Sequence, residues 1–517
     1  VFEVGRVRSL WELVEYRAEA SRGAPMFFDA KGRSVSFDGV RDEALRVAAG
    51  LRGLGIGAGT RVAWQLPTQI RTVIVSLALA RLGAVQTPVI PLHREREVGF
   101  ILTESAAEYV LVPGEWRGFD YAALARKAAP DGVRVVAMEA GPPVGDPSEL
   151  PDVAAPERDG TRWIYYTSGT TSSPKGVEHS DASLIAGGVG LATALGMSAQ
   201  DTGSIAFPYA HIAGPDYVIA MLVSGFPAVV LDTFEPDRAA AVYRRYGVTM
   251  AGGSTAFYQA FLDESQRYRR ARPDAGRLIP TLRVLSGGGA PMSPELYAAA
   301  GRELGCAVVH GYGMTECPMI AMGTPYDSDD QLARTVGRPV MGARIRIVRP
   351  DGSAAAPGET GEVTLKGPML FRRYTDPALT AEAFDADGYF HTGDLGRLRP
   401  DGHLVLTGRL KDIIIRKGEN ISAQEVEELV QTHPAVAEAA VIGLPDRDRG
   451  ERVCAVITPA DPAAPPLTLD ALTAHLQAAG VMMQKLPEQL EITPELPRGG
   501  PLGKVLKTTL RERYERR

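Results

Sequence analysis

The stretch Trp163-Ile164-Tyr165-Tyr166-Thr167-Ser168-Gly169-Thr170-Thr171-Ser172-Ser173-Pro174-Lys175-Gly176-Val177 decides how this chain is read. Residues 163–166 have the apolar, aromatic character of a strand. The ten residues from Thr167 hold six hydroxyl side chains, two glycines, a proline and one lysine. A strand opening into such a loop suits a phosphate. Backbone N–H groups and hydroxyls donate to the oxygens, glycine lets the backbone approach, and lysine adds charge. The spacing is not that of a Walker A loop, GxxxxGK[ST]: Pro174 stands where the second glycine belongs and Gly176 where Ser or Thr belongs. On composition alone, a solvated hydroxyl-rich loop is an equal alternative.

Outward from this stretch, apolar strands alternate with amphipathic helices. Residues 37–54 and 70–82 have helical spacing, the second stopped by Gly83. Residues 61–66, 84–90, 204–207, 228–231, 248–251 and 282–285 read as strands, and 141–156 as a surface loop. This alternation predicts α/β layers with buried parallel strands, whose C-terminal ends bind ligands. From Gly342 the texture becomes short β segments, 343–348 and 362–366, between Gly/Pro/Asp turns, a smaller β-rich subdomain at about 335–408. After Gly408 an α+β unit follows: strands at 412–416, 437–442, 452–457 and 489–492, helices at 423–431 and 469–479, and a helical end. The expected domains are thus 1–408 and 409–517.

The 517 residues exceed one core. With 45% hydrophobic and 23% charged residues the composition is that of a folded soluble chain, and a net charge of -6 without a basic stripe argues against a nucleic-acid binder. Only Cys306, Cys317 and Cys454 occur, well apart, so neither a zinc site nor a disulfide framework is supported. Charges interrupt the apolar stretches of the N-terminus, and the longest apolar run, at 72–80, is far short of a membrane span. A cytoplasmic protein is expected, with its oligomeric state open.

The phosphate-loop stretch resembles that of the adenylate-forming superfamily: acyl-CoA synthetases, peptide-synthetase adenylation domains and luciferases. Ser172 departs from the glycine usual there. Five further segments match in order: Pro208-Tyr209-Ala210-His211 (PxxH), Gly311-Tyr312-Gly313-Met314-Thr315-Glu316 (GYGxTE), and Tyr389-Phe390-His391-Thr392-Gly393-Asp394 (YxTGD). Then come Gly408-Arg409-Leu410-Lys411-Asp412, running on to Lys417-Gly418-Glu419-Asn420-Ile421, and Leu496-Pro497-Arg498 with Gly503-Lys504. The last segment is one residue longer than the usual PRxPTGK and has Leu502 for threonine. The whole set is most similar to bacterial cyclohexanecarboxylate-type or medium-chain acid CoA ligases.

The resemblance implies a ligase that uses ATP, Mg²⁺ and coenzyme A. A carboxylate and ATP give acyl-AMP and pyrophosphate, then the thiol displaces AMP. Thr167, Ser168, Gly169, Thr170, Thr171 and Lys175 would hold the β- and γ-phosphates. Gly288, Gly289, Ala290, Gly311, Gly313, Met314 and Thr315 would line the nucleotide, with Tyr312 stacking on adenine. Asp394 would accept from both ribose hydroxyls, with Arg409 beside it. Glu316 would ligate Mg²⁺, and Lys504 would bridge the carboxylate and the α-phosphate. His211 is read as an aromatic gate between the acid site and the thiol tunnel, which Lys417, Gly418 and Glu419 would line. Lys411 is the expected hinge of a mobile C-terminal domain, so Lys411→Pro should impair one half-reaction more than the other.

The acid site is expected among His211, Ile212, Gly214, Gly252, Gly253, Ser254, Gly287, Gly288, Met314, Pro318 and Met319, the glycines leaving volume near the carboxylate. With no evident cation for a second carboxylate, the acid expected is apolar: alicyclic, steroid-side-chain-like or medium-chain. No carrier motif follows the ligase segments, yet loading of a separate acyl carrier protein remains an alternative. A non-catalytic nucleotide sensor is a third reading, disfavoured by Lys504, Glu316 and Asp394. Lys507 is expected to be solvated.

Overall fold

The computed structural model describes residues 7–153, 160–167, 174–289, 292, 294–349, 351–410, 413–499 and 504–515. Ser168, Gly169, Thr170, Thr171, Ala290 and Lys411 lie outside the described residues.

A seven-stranded sheet runs in the order Arg373–Tyr374, Lys175–His179, Trp163–Thr167, Val85–Pro88, Arg61–Trp64, Tyr109–Val112 and Arg134–Ala137. Its five strands from Trp163–Thr167 outward are parallel. The helix Ile70–Leu82 crosses from one of these strands to the next. It is apolar almost all round, lies nearly wholly in the core, and ends at Gly83 with φ of 70°. The helix Phe37–Gly53 starts at Ser36, whose hydroxyl accepts from the Gly39 N–H.

A second sheet is ordered Met250–Gly253, Val284–Gly287, Ala307–Met314, Cys317–Met322 and Arg338–Pro339, its first three strands parallel. A four-stranded antiparallel sheet from Arg344 to Arg409 forms the β-rich region read in the sequence. A fourth, small mixed sheet joins Pro25–Asp29 to Ala228–Val230 and Gly203–Ile205.

The C-terminal unit is α+β. Its sheet is ordered Glu419–Ser422, Ile413–Arg416, Gly450–Pro459 and Val436–Asp446, with Gln489–Ile492 paired to Gly450–Pro459. The helices Ala423–Gln431 and Leu469–Ala478 cover one face and Lys507–Tyr514 the other.

The phosphate-loop stretch joins two antiparallel strands, with Thr167 opposite Lys175. Glu419–Ser422, which the sequence pattern leaves unassigned, is a strand that forms a hairpin with Ile413–Arg416. One expectation changes: Lys507 is not solvated, since its Nζ lies 2.7 Å from Glu427 and only a fifth of the side chain is exposed.

The two units meet at a buried ionic contact. Lys485 Nζ lies 2.8 Å from Glu425 of the C-terminal unit and 3.8 Å from Glu97 of the large unit. Glu97 Oε1 also accepts from the Met482 N–H. All three side chains are nearly fully buried. An exposed pair, Arg447 with Asp263 at 3.0 Å, lies elsewhere on the same junction.

Candidate active site

The C-terminal ends of the parallel strands of the second sheet converge on one cavity of about 230 Å³. This is where an α/β sheet offers free backbone groups to a ligand. Gly252, Gly253 and Ser254 end one strand, Gly287, Gly288 and Gly289 the next, and Gly311, Tyr312, Gly313, Met314 and Thr315 the third; all of them line it. His211, Ile212, Pro318 and Met319 add walls, and Lys417, Gly418 and Glu419 close it from the C-terminal unit. Residues more than 200 positions apart in the sequence thus share one enclosure.

Gly214 is not among the lining residues. It lies in the first turn of the helix Ala213–Ser224, and a Cβ there would lie 2.1 Å from the Tyr209 carbonyl oxygen, so packing against backbone explains the glycine. The glycine walls also need correcting as spacers for ligand. At Gly252 φ is 140°, and an added Cβ would lie 1.7 Å from the Ser286 carbonyl oxygen. Close strand approach therefore demands this glycine. Gly252→Ala is expected to lower stability by about 2–3 kcal/mol, read as a fall in the midpoint of chemical unfolding. An unchanged midpoint would refute this reading of the strand contact.

Beside the cavity, strand pairing assembles a charged corner. The strands Lys175–His179 and Arg373–Tyr374 are neighbours, so Lys175 Nζ sits 4.8 Å from the centroid of the Tyr374 ring. The Tyr374 hydroxyl donates to Glu316 Oε1 at 2.7 Å. Glu316 is buried, and burial raises its pKa, opposed by the Tyr374 hydrogen bond and the Lys175 charge. A cation or a neighbouring donor relieves such a carboxylate. His179 is buried and held neutral, its pKa pushed down by burial to about 4. Its Nε2–H donates to the Thr315 carbonyl at 2.7 Å, fixing the segment that carries Glu316. Neither Tyr374 nor His179 was read from the sequence.

A second corner forms where the β-rich sheet meets the Tyr312 strand. The Tyr312 hydroxyl donates to Asp394 Oδ2 at 2.6 Å, both residues being buried. The Asp394 N–H is held by the Thr392 hydroxyl. Strand register sets Asp394 opposite Arg409, so the two motif segments meet through the backbone.

His211 accepts at Nδ1 from the Ala213 N–H, and burial lowers its pKa to about 4. Burial thus favours the neutral ring. Burial raises Glu419 to about 6, against the pull of Lys485. Gly418 has φ of 81° and stands close to two cavity walls. A Cβ on it would meet the Ser254 side chain at 3.8 Å, and a Cβ on Gly289 would lie 3.7 Å from the Gly418 Cα. Lys504 is in a two-stranded ribbon opposite Gly499. The cavity also takes in Leu191, Phe207, Phe257, Tyr217 and Asp216, which sequence reading missed.

Comparison with known proteins agrees with this geometry. Residues 14–375 match the family model described as AMP-binding enzyme, and residues 425–501 that of the AMP-binding enzyme C-terminal domain. The chain is 33% identical to a 2-hydroxy-7-methoxy-5-methyl-1-naphthoate–CoA ligase of Streptomyces carzinostaticus, over 97% of this chain and 93% of that protein. It is 32% identical to a salicyl-AMP ligase/salicyl-S-ArCP synthetase of Mycobacterium tuberculosis, over 92% and 85%. The o-succinylbenzoate CoA synthetase of Bacillus subtilis, solved with a product analogue as a double mutant, superposes with a TM-score of 0.83. It shares 27% identity, with 98% of each chain covered. Two matched family models across most of the length, relatives above 30% identity over nearly the whole chain and a shared fold show that the chain belongs to the AMP-binding enzyme family, the adenylate-forming ligases.

Proposed function

We propose that this chain is an AMP-forming acid–CoA ligase. It joins a carboxylic acid to the α-phosphate of ATP with loss of pyrophosphate, and then passes the acyl group to the thiol of coenzyme A. The observation that carries this is the meeting of Lys417, Gly418 and Glu419 with His211 and the strand-end glycines on one cavity. A thiol entering past Gly418 would reach an acyl group held there.

Each residue has a task in this reading. Thr167 and Lys175 flank the loop that would cradle the β- and γ-phosphates, and Lys175 supplies charge. Tyr312 would cover the adenine ring, and Asp394 would take the ribose hydroxyls. Lys504 would neutralise charge as the carboxylate attacks the α-phosphate. His211 would screen the acyl carbon from water until the thiol arrives.

Glu316 fits Mg²⁺, which would supply charge neutralisation at the phosphates. Among the described residues no group of three or more His, Cys, Asp or Glu side chains could hold a metal. A single carboxylate completed by nucleotide oxygens and water is the usual magnesium arrangement. Glu316→Gln keeps the Tyr374 hydrogen bond but loses the charge. We expect pyrophosphate release to fall about 100-fold, as for loss of one strong electrostatic contact, with a raised Mg²⁺ requirement. Wild-type rates would refute the assignment.

The walls Leu191, Phe207, Ile212, Phe257 and Met319 suit an apolar acid body, as an alicyclic or medium-chain acid has. The relatives named for aromatic acids favour a ring acid among these. A second reading, loading of a separate acyl carrier, is favoured by the relative named a salicyl-S-ArCP synthetase. Pyrophosphate release over a panel of acids, with and without CoA, tests the proposal. Acid-dependent release with thioester forming from CoA is expected. Release that never yields acyl-CoA would favour the carrier. Among the described residues no helix is long and apolar enough to cross a membrane.

A further inference from the structure

One acidic side chain on the cavity has no task in the reaction above. Asp216 lies in the first turn of the helix Ala213–Ser224, is 2% exposed, and lines the cavity. Its Oδ1 is buried without a hydrogen-bond partner. Among the described residues no donor reaches that oxygen, and no Lys, Arg or His offsets the charge of the carboxylate. Burial alone raises its pKa to about 8.

Its surroundings keep room for it. Gly187, on the facing helix Asp181–Ala194, is a close neighbour: a Cβ there would lie 2.6 Å from Asp216 Oδ1. Apolar atoms of Leu191, Phe207 and Phe257 make up much of the remaining wall. An apolar side chain of similar size would fill this place more cheaply, because an unmet buried carboxyl loses its water hydrogen bonds and gains nothing. Burial holds the carboxyl largely in its neutral form, and a ligand that donates a hydrogen bond or brings a cation favours the ionised, accepting form.

We propose that the acid substrate carries an O–H or N–H donor on its apolar body, and that Asp216 selects for this group by accepting its hydrogen bond. The inference rests on the adenylation reading and names its substrate class: an apolar acid, most simply a ring acid, bearing a hydroxyl or amino group. Donation restores the acceptor role of Asp216, and an amino cation also supplies the missing counter-charge. Asp216 is thus a specificity determinant that touches the substrate away from the reacting carboxylate.

The test measures kcat/KM for pyrophosphate release with ATP and Mg²⁺. The acids are benzoate and cyclohexanecarboxylate, each unsubstituted and with hydroxyl, amino or methoxy at every ring position. For the wild-type chain, at least one hydroxy or amino acid should exceed both its unsubstituted and its methoxy counterpart by about tenfold or more. Asp216→Leu should abolish or invert that preference. Asp216→Asn, the variant closest in shape, should retain a preference for the neutral donors, hydroxyl and the aniline amino group, through its amide oxygen and lose any preference for the cationic aminocyclohexanecarboxylates. It decides the matter if the leucine variant does not fold. The aminocyclohexanecarboxylates thus separate a cation from the neutral donors. Release with the panel but no donor-bearing acid favoured, or a preference unchanged in both variants, overturns the proposal. Absence of release with every acid, while ATP still binds, contradicts the adenylation reading itself, a distinct outcome.

Discussion

Replacing Gly418 by leucine should lower thioester formation about 100-fold or more, a barrier increase of about 2.7 kcal/mol, while acid-dependent pyrophosphate release stays within a few-fold. Gly418 closes the cavity from the C-terminal unit, where Ser254 and Gly289 face it across a narrow gap. A leucine would extend into that gap, where the thiol would pass in the proposed reaction. Its φ of 81° adds about 1–2 kcal/mol of backbone strain for any L side chain. Gly418→Ala separates the two effects, since it carries the strain without the bulk. The alanine variant should keep most thioester formation and show a lower melting temperature. Equal loss of both half-reactions in the leucine variant would contradict a tunnel role for this residue.

The second large effect is expected at Lys485. Its ammonium is buried between Glu97 and Glu425, on opposite sides of the junction between the two units. Removing one partner of a buried ionic cluster leaves uncompensated charge, at a cost of about 3–5 kcal/mol. Lys485→Met leaves two carboxylates facing each other with no cation between them. The arrangement in which Gly418 meets the cavity should therefore lose population. Thioester formation is expected to fall by about 10²-fold or more, with adenylation much less affected. Because Glu425 lies within the small unit, part of the loss will appear as lower stability of that unit. A double-mutant cycle between Lys485 and Glu97→Gln isolates the part that crosses the junction. We expect about 1 kcal/mol or more of coupling in thioester formation and none in pyrophosphate release. Coupling of equal size in both steps would show that the contact serves folding alone.

Much of this architecture was legible in the sequence because it rests on local signals. The helix Ile70–Leu82 was readable from its apolar spacing and Gly83, and Ala423–Gln431 was readable to the residue. The strand ends at Gly252–Ser254 and Gly287–Gly289 stood out through glycine runs, and they do meet at one cavity. Why they are glycine was less legible. At Gly252 the cause is the neighbouring strand's carbonyl, a contact that appears only once Val284–Gly287 is paired beside it.

The parts that escaped share a physical reason. Tyr374 meets Glu316 and Lys175 through strand pairing across nearly 200 residues, and no local period announces that. His179 looks like an ordinary strand-end histidine until Thr315 is placed against it. Asp216 carries no local signal, because a single acid in an apolar helix has no partner or period near it in the chain; the fold buries it on the cavity. Lys485 and Lys507 were unreadable for the same reason. A lone lysine is solvated by default, and only the tertiary fold brings Glu425 and Glu427 to them. Charged residues buried by long-range packing are thus where a chain's own pattern says least and its chemistry says most.

The most direct test of the account is a chase of the adenylate. The protein is mixed with ATP, Mg²⁺ and the acid that releases pyrophosphate fastest, and the bound acyl-AMP is then challenged with coenzyme A or with a phosphopantetheine-bearing carrier protein. The account predicts that coenzyme A consumes the adenylate within one turnover, with acyl-CoA and AMP appearing in equal amounts. An adenylate that survives coenzyme A and is consumed only by the carrier would contradict it.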